Sequence, residues 1–71
     1  MANKVVATYK VTCDENFGYV IHPSGNKKKF RSLKIAMQKA RQYAKDWANI
    51  WRNPCIVVED SYNMTFTVQE A

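Results

Sequence analysis

Residues 5–12 alternate strictly, with Val5, Ala7, Tyr9 and Val11 on one side and Val6, Thr8, Lys10 and Thr12 on the other. That is the period of a half-buried β-strand. After the polar interruption Asp14-Glu15-Asn16 the alternation resumes over residues 17–22, with Phe17, Tyr19 and Ile21 on one face, so the two runs predict a hairpin. Pro23-Ser24-Gly25-Asn26 carries turn chemistry, and Lys27-Lys28-Lys29 reads either as a solvated loop or as an edge that repels unwanted pairing. Ser32 is placed to cap a helix that starts at Leu33. From there Leu33, Met37, Ala40, Ala44, Trp47 and Trp51 recur at steps of four and three, and Ala36, Tyr43, Ala48 and Ile50 widen the stripe. Pro54 stops the helix near Arg52, after about 20 residues. The β-branched run 55–59, the turn 60–63, and the alternation of Met64, Phe66 and Val68 with Thr65, Thr67 and Gln69 predict a second hairpin.

The predicted order is ββαββ. One amphipathic helix and two hairpins have one economical packing, an α+β fold in which a four-stranded, mostly antiparallel sheet has the helix on one face. The other face, with Thr8, Lys10, Thr12, Thr65 and Thr67, is polar enough to stay wet. At 71 residues the chain is expected to form a single domain over residues 1–71. So small a core calls for reinforcement, by dimerisation or by aromatic packing, and either a monomer or a homodimer fits. Trp47 and Trp51 lie on the helix stripe and are expected in the core.

No run approaches the roughly 20 apolar residues of a membrane span, and the start lacks an apolar signal segment, so the expected location is the cytoplasm. In that compartment Cys13 and Cys55 read as small buried apolar residues, not as a disulfide or a metal framework. His22 is the single histidine and has no evident partner in sequence. Paired with either cysteine it would lack an orienting group and an oxyanion loop. The carboxylates Asp14-Glu15 and Glu59-Asp60 are adjacent in sequence and project to opposite sides of their strands, which does not suit acid/base work. With no phosphate loop, zinc spacing or nucleotide fingerprint, the expectation is a protein that is not an enzyme and uses no cofactor or metal.

Charge supplies the functional content. Eleven Lys and Arg face six Asp and Glu, for a net +5, and the cations are concentrated. Residues 27–52 hold Lys27, Lys28, Lys29, Arg31, Lys34, Lys39, Arg41, Lys45 and Arg52 against Asp46 alone. An ordinary surface helix interleaves Glu with Lys for i, i+4 pairs, and this one does not. The expected contact surface is a basic ridge of Lys27, Lys28, Lys29, Arg31, Lys34, Arg41, Lys45 and Arg52, with Lys39 to one flank. Its expected partner is an acidic protein surface or nucleoprotein complex, or the phosphate backbone of DNA or RNA. No recognition helix or exposed aromatic stacking set is evident, so bases are not expected to be read. Membrane insertion through the tryptophans is not expected, because the same stripe is needed to cover the sheet.

In its short ββαββ layout, missing catalytic parts and basic segment 27–52, the chain resembles the small accessory proteins of bacteriophages, including anti-CRISPR and other anti-defence proteins. The stretch 17–68 is also similar to small ββαβ domains with a capped Ala-rich helix such as Ser32-Leu33-Lys34-Ile35-Ala36-Met37-Gln38-Lys39-Ala40-Arg41. The phage resemblance implies a host-virus interaction by occlusion, in which a compact inhibitor blocks a nucleic-acid site or a subunit contact of a host machine.

Overall fold

A computed structural model describes residues 4–71. The elements are β1 (Val5–Cys13), β2 (Gly18–Ile21), β3 (Lys27–Phe30), α1 (Leu33–Ile50), β4 (Cys55–Asp60) and β5 (Thr65–Glu70). All five strands form one antiparallel sheet in the order β3-β2-β1-β5-β4, with the helix across one face. The α+β class and the single covering helix match the expectation from sequence. The sheet has one strand more than expected, because the lysine run is β3. Its four residues pair in register with β2 from Gly18↔Phe30 to Ile21↔Lys27, and Phe30 packs against the core and pins the strand. An outermost strand has only one neighbour and can carry charge on both faces, so it need not show the apolar alternation of an interior strand.

The helix begins where the cap places it. Ser32 is extended, and its hydroxyl accepts the Ile35 N–H at 3.2 Å. The helix runs 18 residues, and its last turn closes through the Trp51 N–H on the Trp47 carbonyl. Ala36, Ala40 and Ala44 are fully buried against Ala7, Tyr9, Val11, Val20, Phe66 and Val68. Small side chains at this four-residue spacing let the helix axis approach the sheet, and bulkier Met37, Tyr43 and Trp47 close the flanks. The largest fully buried side chains, Phe66, Val11, Val20 and Val68, each contribute about 1.5–3 kcal/mol through burial.

Helix and sheet approach closely at Gly18. A Cβ there would lie 2.5 Å from the Ser32 carbonyl oxygen, 2.8 Å from the Ala36 Cβ and 2.8 Å from the Leu33 Cα. The missing side chain is therefore what seats the helix start on β2. It also fixes the facing of β2: Gly18 and Val20 are buried under the helix, and Tyr19 and Ile21 take the opposite, open face.

Three further expectations change. Cys13 is exposed and Cys55 half-buried, because both sit at strand ends; Cys13 pairs with Gly18 at one end of the sheet and Cys55 with Glu70 at the other. Neither tryptophan is fully enclosed. Trp47 packs on the core edge, while Trp51 is held by its indole N–H, which donates to Glu70 at 2.7 Å. His22 does acquire neighbours, the rings of Tyr9 at 5.6 Å and Tyr43 at 5.1 Å.

Candidate functional site

The basic residues of segment 27–52 are distributed by the fold over both layers. On β3 the register puts Lys27 and Lys29 on the open face beside Ile21 and Tyr19, and Lys28 on the helix side beside Val20. Arg31 follows on the connection to the helix, and Lys34 lies in its first turn. All five are exposed. Lys45 is exposed on the helix and Arg52 just beyond its end, with Lys39 on another flank of the helix. The structure thus brings Lys27, Lys28, Lys29, Arg31 and Lys34 to one edge of the molecule. Lys27 and Lys29 face away from the helix, so the cations occupy two faces of that edge and not a single ridge.

Arg41 differs from the rest. It is half-buried, and its Nε and Nη2 donate to the two carboxylate oxygens of Glu59 on β4, the second bond at 3.3 Å. Its guanidinium also lies 5.6 Å from the centre of the Phe66 ring. The pair holds the Glu59 carboxyl below its ordinary range through Arg41's hydrogen bonds and charge, with Lys45 adding a smaller pull. Among the described residues this is the one ion pair. Sequence could not anticipate it, because the two residues are 18 apart and meet only after β4 takes its place at the sheet edge.

The three lysines of β3 are held in another way. Lys27 Nζ lies 4.7 Å from the centre of the Tyr19 ring, Lys28 Nζ 5.7 Å from Phe30, and Lys29 Nζ 4.3 Å from Phe17. A cation over a ring face is attracted by the ring quadrupole, which orders the long side chain and leaves the ammonium N–H groups free for a ligand. Two of these rings, exposed Phe17 and half-buried Tyr19, belong to the open face, so an accessible aromatic pair exists where none was expected. The alternation of residues 17, 19 and 21 was the available signal, but alternation separates two faces without saying which one the helix covers.

The acids are occupied locally. Asp14 accepts the N–H groups of Asn16 and Phe17 and the Tyr19 hydroxyl, all at 2.9 Å, which lowers its pKa. Asp60 accepts the Tyr62 and Asn63 N–H groups and the Asn63 amide, and its pKa is lowered in the same way. Glu70 accepts from the Trp51 indole and the Asn53 side chain. Burial pushes the Cys55 thiol up, with Glu70 adding to the effect.

Among the described residues no helix is long and apolar enough to cross a membrane. No family model, curated protein or solved structure matches the chain.

Proposed function

We propose that the protein is a non-enzymatic binding protein of bacteriophage type, comparable in role to anti-CRISPR proteins, that inhibits or modulates a host nucleic-acid-handling or defence complex in the cytoplasm. The observation that carries this reading is that, among the described residues, no carboxylate forms an ion pair with the basic edge. Lys27, Lys28, Lys29, Arg31 and Lys34 lie on or next to the outermost strand, exposed, while Asp14, Glu59, Asp60 and Glu70 are engaged elsewhere. Cations crowded together without counter-charge repel one another, and a partner of opposite sign relieves that repulsion. Lys45 and Arg52 lie farther along the helix, where they act on Glu59 and Glu70, and add less to the contact than the β3 edge does. Arg41, already paired with Glu59, contributes least to it.

The second reading is sequence-independent binding to the backbone of DNA or RNA by the same residues. It is favoured by the ordering of the β3 lysines on aromatic rings, which suits point contacts with phosphates. Capture of partners from a bacterial lysate on tagged protein, with and without nuclease, separates the two. A defined protein complex that survives nuclease is the expected result. Recovery of nucleic acid alone, lost on nuclease treatment, contradicts the first reading and leaves the second.

A further inference from the structure

The half of the sheet formed by β1, β2 and β3 leaves its outer face uncovered, and we infer that this face binds single-stranded nucleic acid, with phosphates on Lys10, Lys27 and Lys29 and bases on Tyr19 and Phe17. The inference rests on the reading above, in that the strand is the one handled by the target complex. It adds Lys10, Phe17 and Tyr19, which lie outside the basic segment 27–52.

Strand register assembles the groups. Lys10, Ile21 and Lys27 form one row across β1, β2 and β3, and Thr12, Tyr19 and Lys29 form the next. Lys10 and Lys27 are thus two strand spacings apart, or about 10 Å, and Lys27 and Lys29 two residues apart, or about 7 Å. Lys29 reaches the Phe17 ring and Lys27 the Tyr19 ring, so cation and ring surface are contiguous. Thr8 and Thr12, on the same face of β1, supply hydroxyl groups that can donate to phosphate or base. The helix cannot screen these side chains, because it lies on the other side of the sheet.

Two acids border the face, and each is hydrogen-bonded within its own turn; Lys29 exerts only the smallest of the pulls on Asp14. Asp14 has its carboxylate committed to two backbone N–H groups and the Tyr19 hydroxyl. Asp60, in line with Thr65 on the far edge, is committed to the β4–β5 turn. The bond from Tyr19 to Asp14 fixes the ring from its phenol end. A ring fixed at one end, with the Lys27 ammonium 4.7 Å from its centre, suits a base whose own phosphate is a few ångströms away. The aromatic pair decides between ligands: a duplex keeps its bases stacked inside and an acidic protein has none, so neither would use the rings.

The test is a fluorescence anisotropy titration of the full chain into labelled oligothymidylate of about twenty nucleotides, and into a duplex of the same length, between about 50 and 200 mM salt. The strand is expected to bind more tightly than the duplex, with a log–log salt slope of about −2 for three phosphates on single-stranded nucleic acid. Replacing Lys10, Lys27 and Lys29 together by Ala should flatten that slope and weaken binding at least about tenfold. Tyr19→Leu should weaken it about five- to hundredfold by removing the π-face, and Tyr19→Phe, which keeps the ring but loses the bond to Asp14, should weaken it less than Tyr19→Leu does. Equal affinity for strand and duplex, or unchanged affinity in a folded Tyr19→Leu or triple-lysine variant, overturns the inference. If the oligonucleotide is ignored while a nuclease-resistant protein complex is still captured, this inference fails and the proposed function stands; loss of both removes both.

Discussion

The two edges of the sheet handle charge in opposite ways. At β3 three consecutive lysines stand without a carboxylate partner and lean on aromatic rings. At β4 the acidic end of the strand is satisfied from within the molecule, Glu59 by Arg41 and Asp60 by its own turn. Both edges block unwanted strand pairing with charge, yet only β3 keeps that charge available. Internal pairing makes the β4 charges part of the fold, and its absence leaves the β3 charges for a partner.

The comparison breaks most completely if the basic edge is detached. Gly18→Ala drives a methyl group into the Ser32 carbonyl and Ala36, and should cost about 3 kcal/mol, measured as a fall in melting temperature of about 10–20 °C. Acid comes next. Asp14, Glu59, Asp60 and Glu70 all have pKa values lowered by hydrogen bonds or by Arg41, so their contribution is complete above the ordinary carboxylate range and is lost as pH falls through it. Thermal melts should therefore be flat near neutrality and decline below about pH 4.

Glu70→Gln is a narrower probe. It weakens the acceptor for the Trp51 indole and the Asn53 amide, and should lower the melting temperature by less than Gly18→Ala while shifting tryptophan emission to the red as Trp51 loosens. Changing Lys27, Lys28 and Lys29 together to Ala should have the smallest effect on stability, under about 1 kcal/mol by chemical denaturation, since lost cation–π contacts and relieved repulsion oppose each other. A large loss there would mean that the lysines are structural after all.

What could be read from the sequence follows from the range of the interactions. The helix and its cap were legible because the recurrence of Met37, Ala40, Ala44 and Trp47 and the Ser32 hydroxyl act within one or a few turns. The alternation of Phe66 and Val68 with Thr65 and Thr67 likewise assigned both faces of β5 correctly. β3 was not fixed by any local signal, since an edge of three lysines has no apolar period and is defined by its pairing with β2. On β2 the bulk of Tyr19 and Ile21 outweighs Gly18 and Val20 in any pattern, although the smaller pair is the buried one because the helix start needs the space. The basic character of segment 27–52 was plain, but its division between a paired Arg41 and unpaired lysines depends on contacts that only the folded sheet creates.

The measurement closest to the central claim is capture from a nuclease-treated bacterial lysate, comparing the parent chain with a variant carrying Lys27→Glu, Lys28→Glu and Lys29→Glu, after circular dichroism shows that both are folded. The account predicts a defined protein complex on the parent and its loss from the variant. The same complex recovered in equal amount on the folded variant would contradict it, and would place the contact away from the β3 edge.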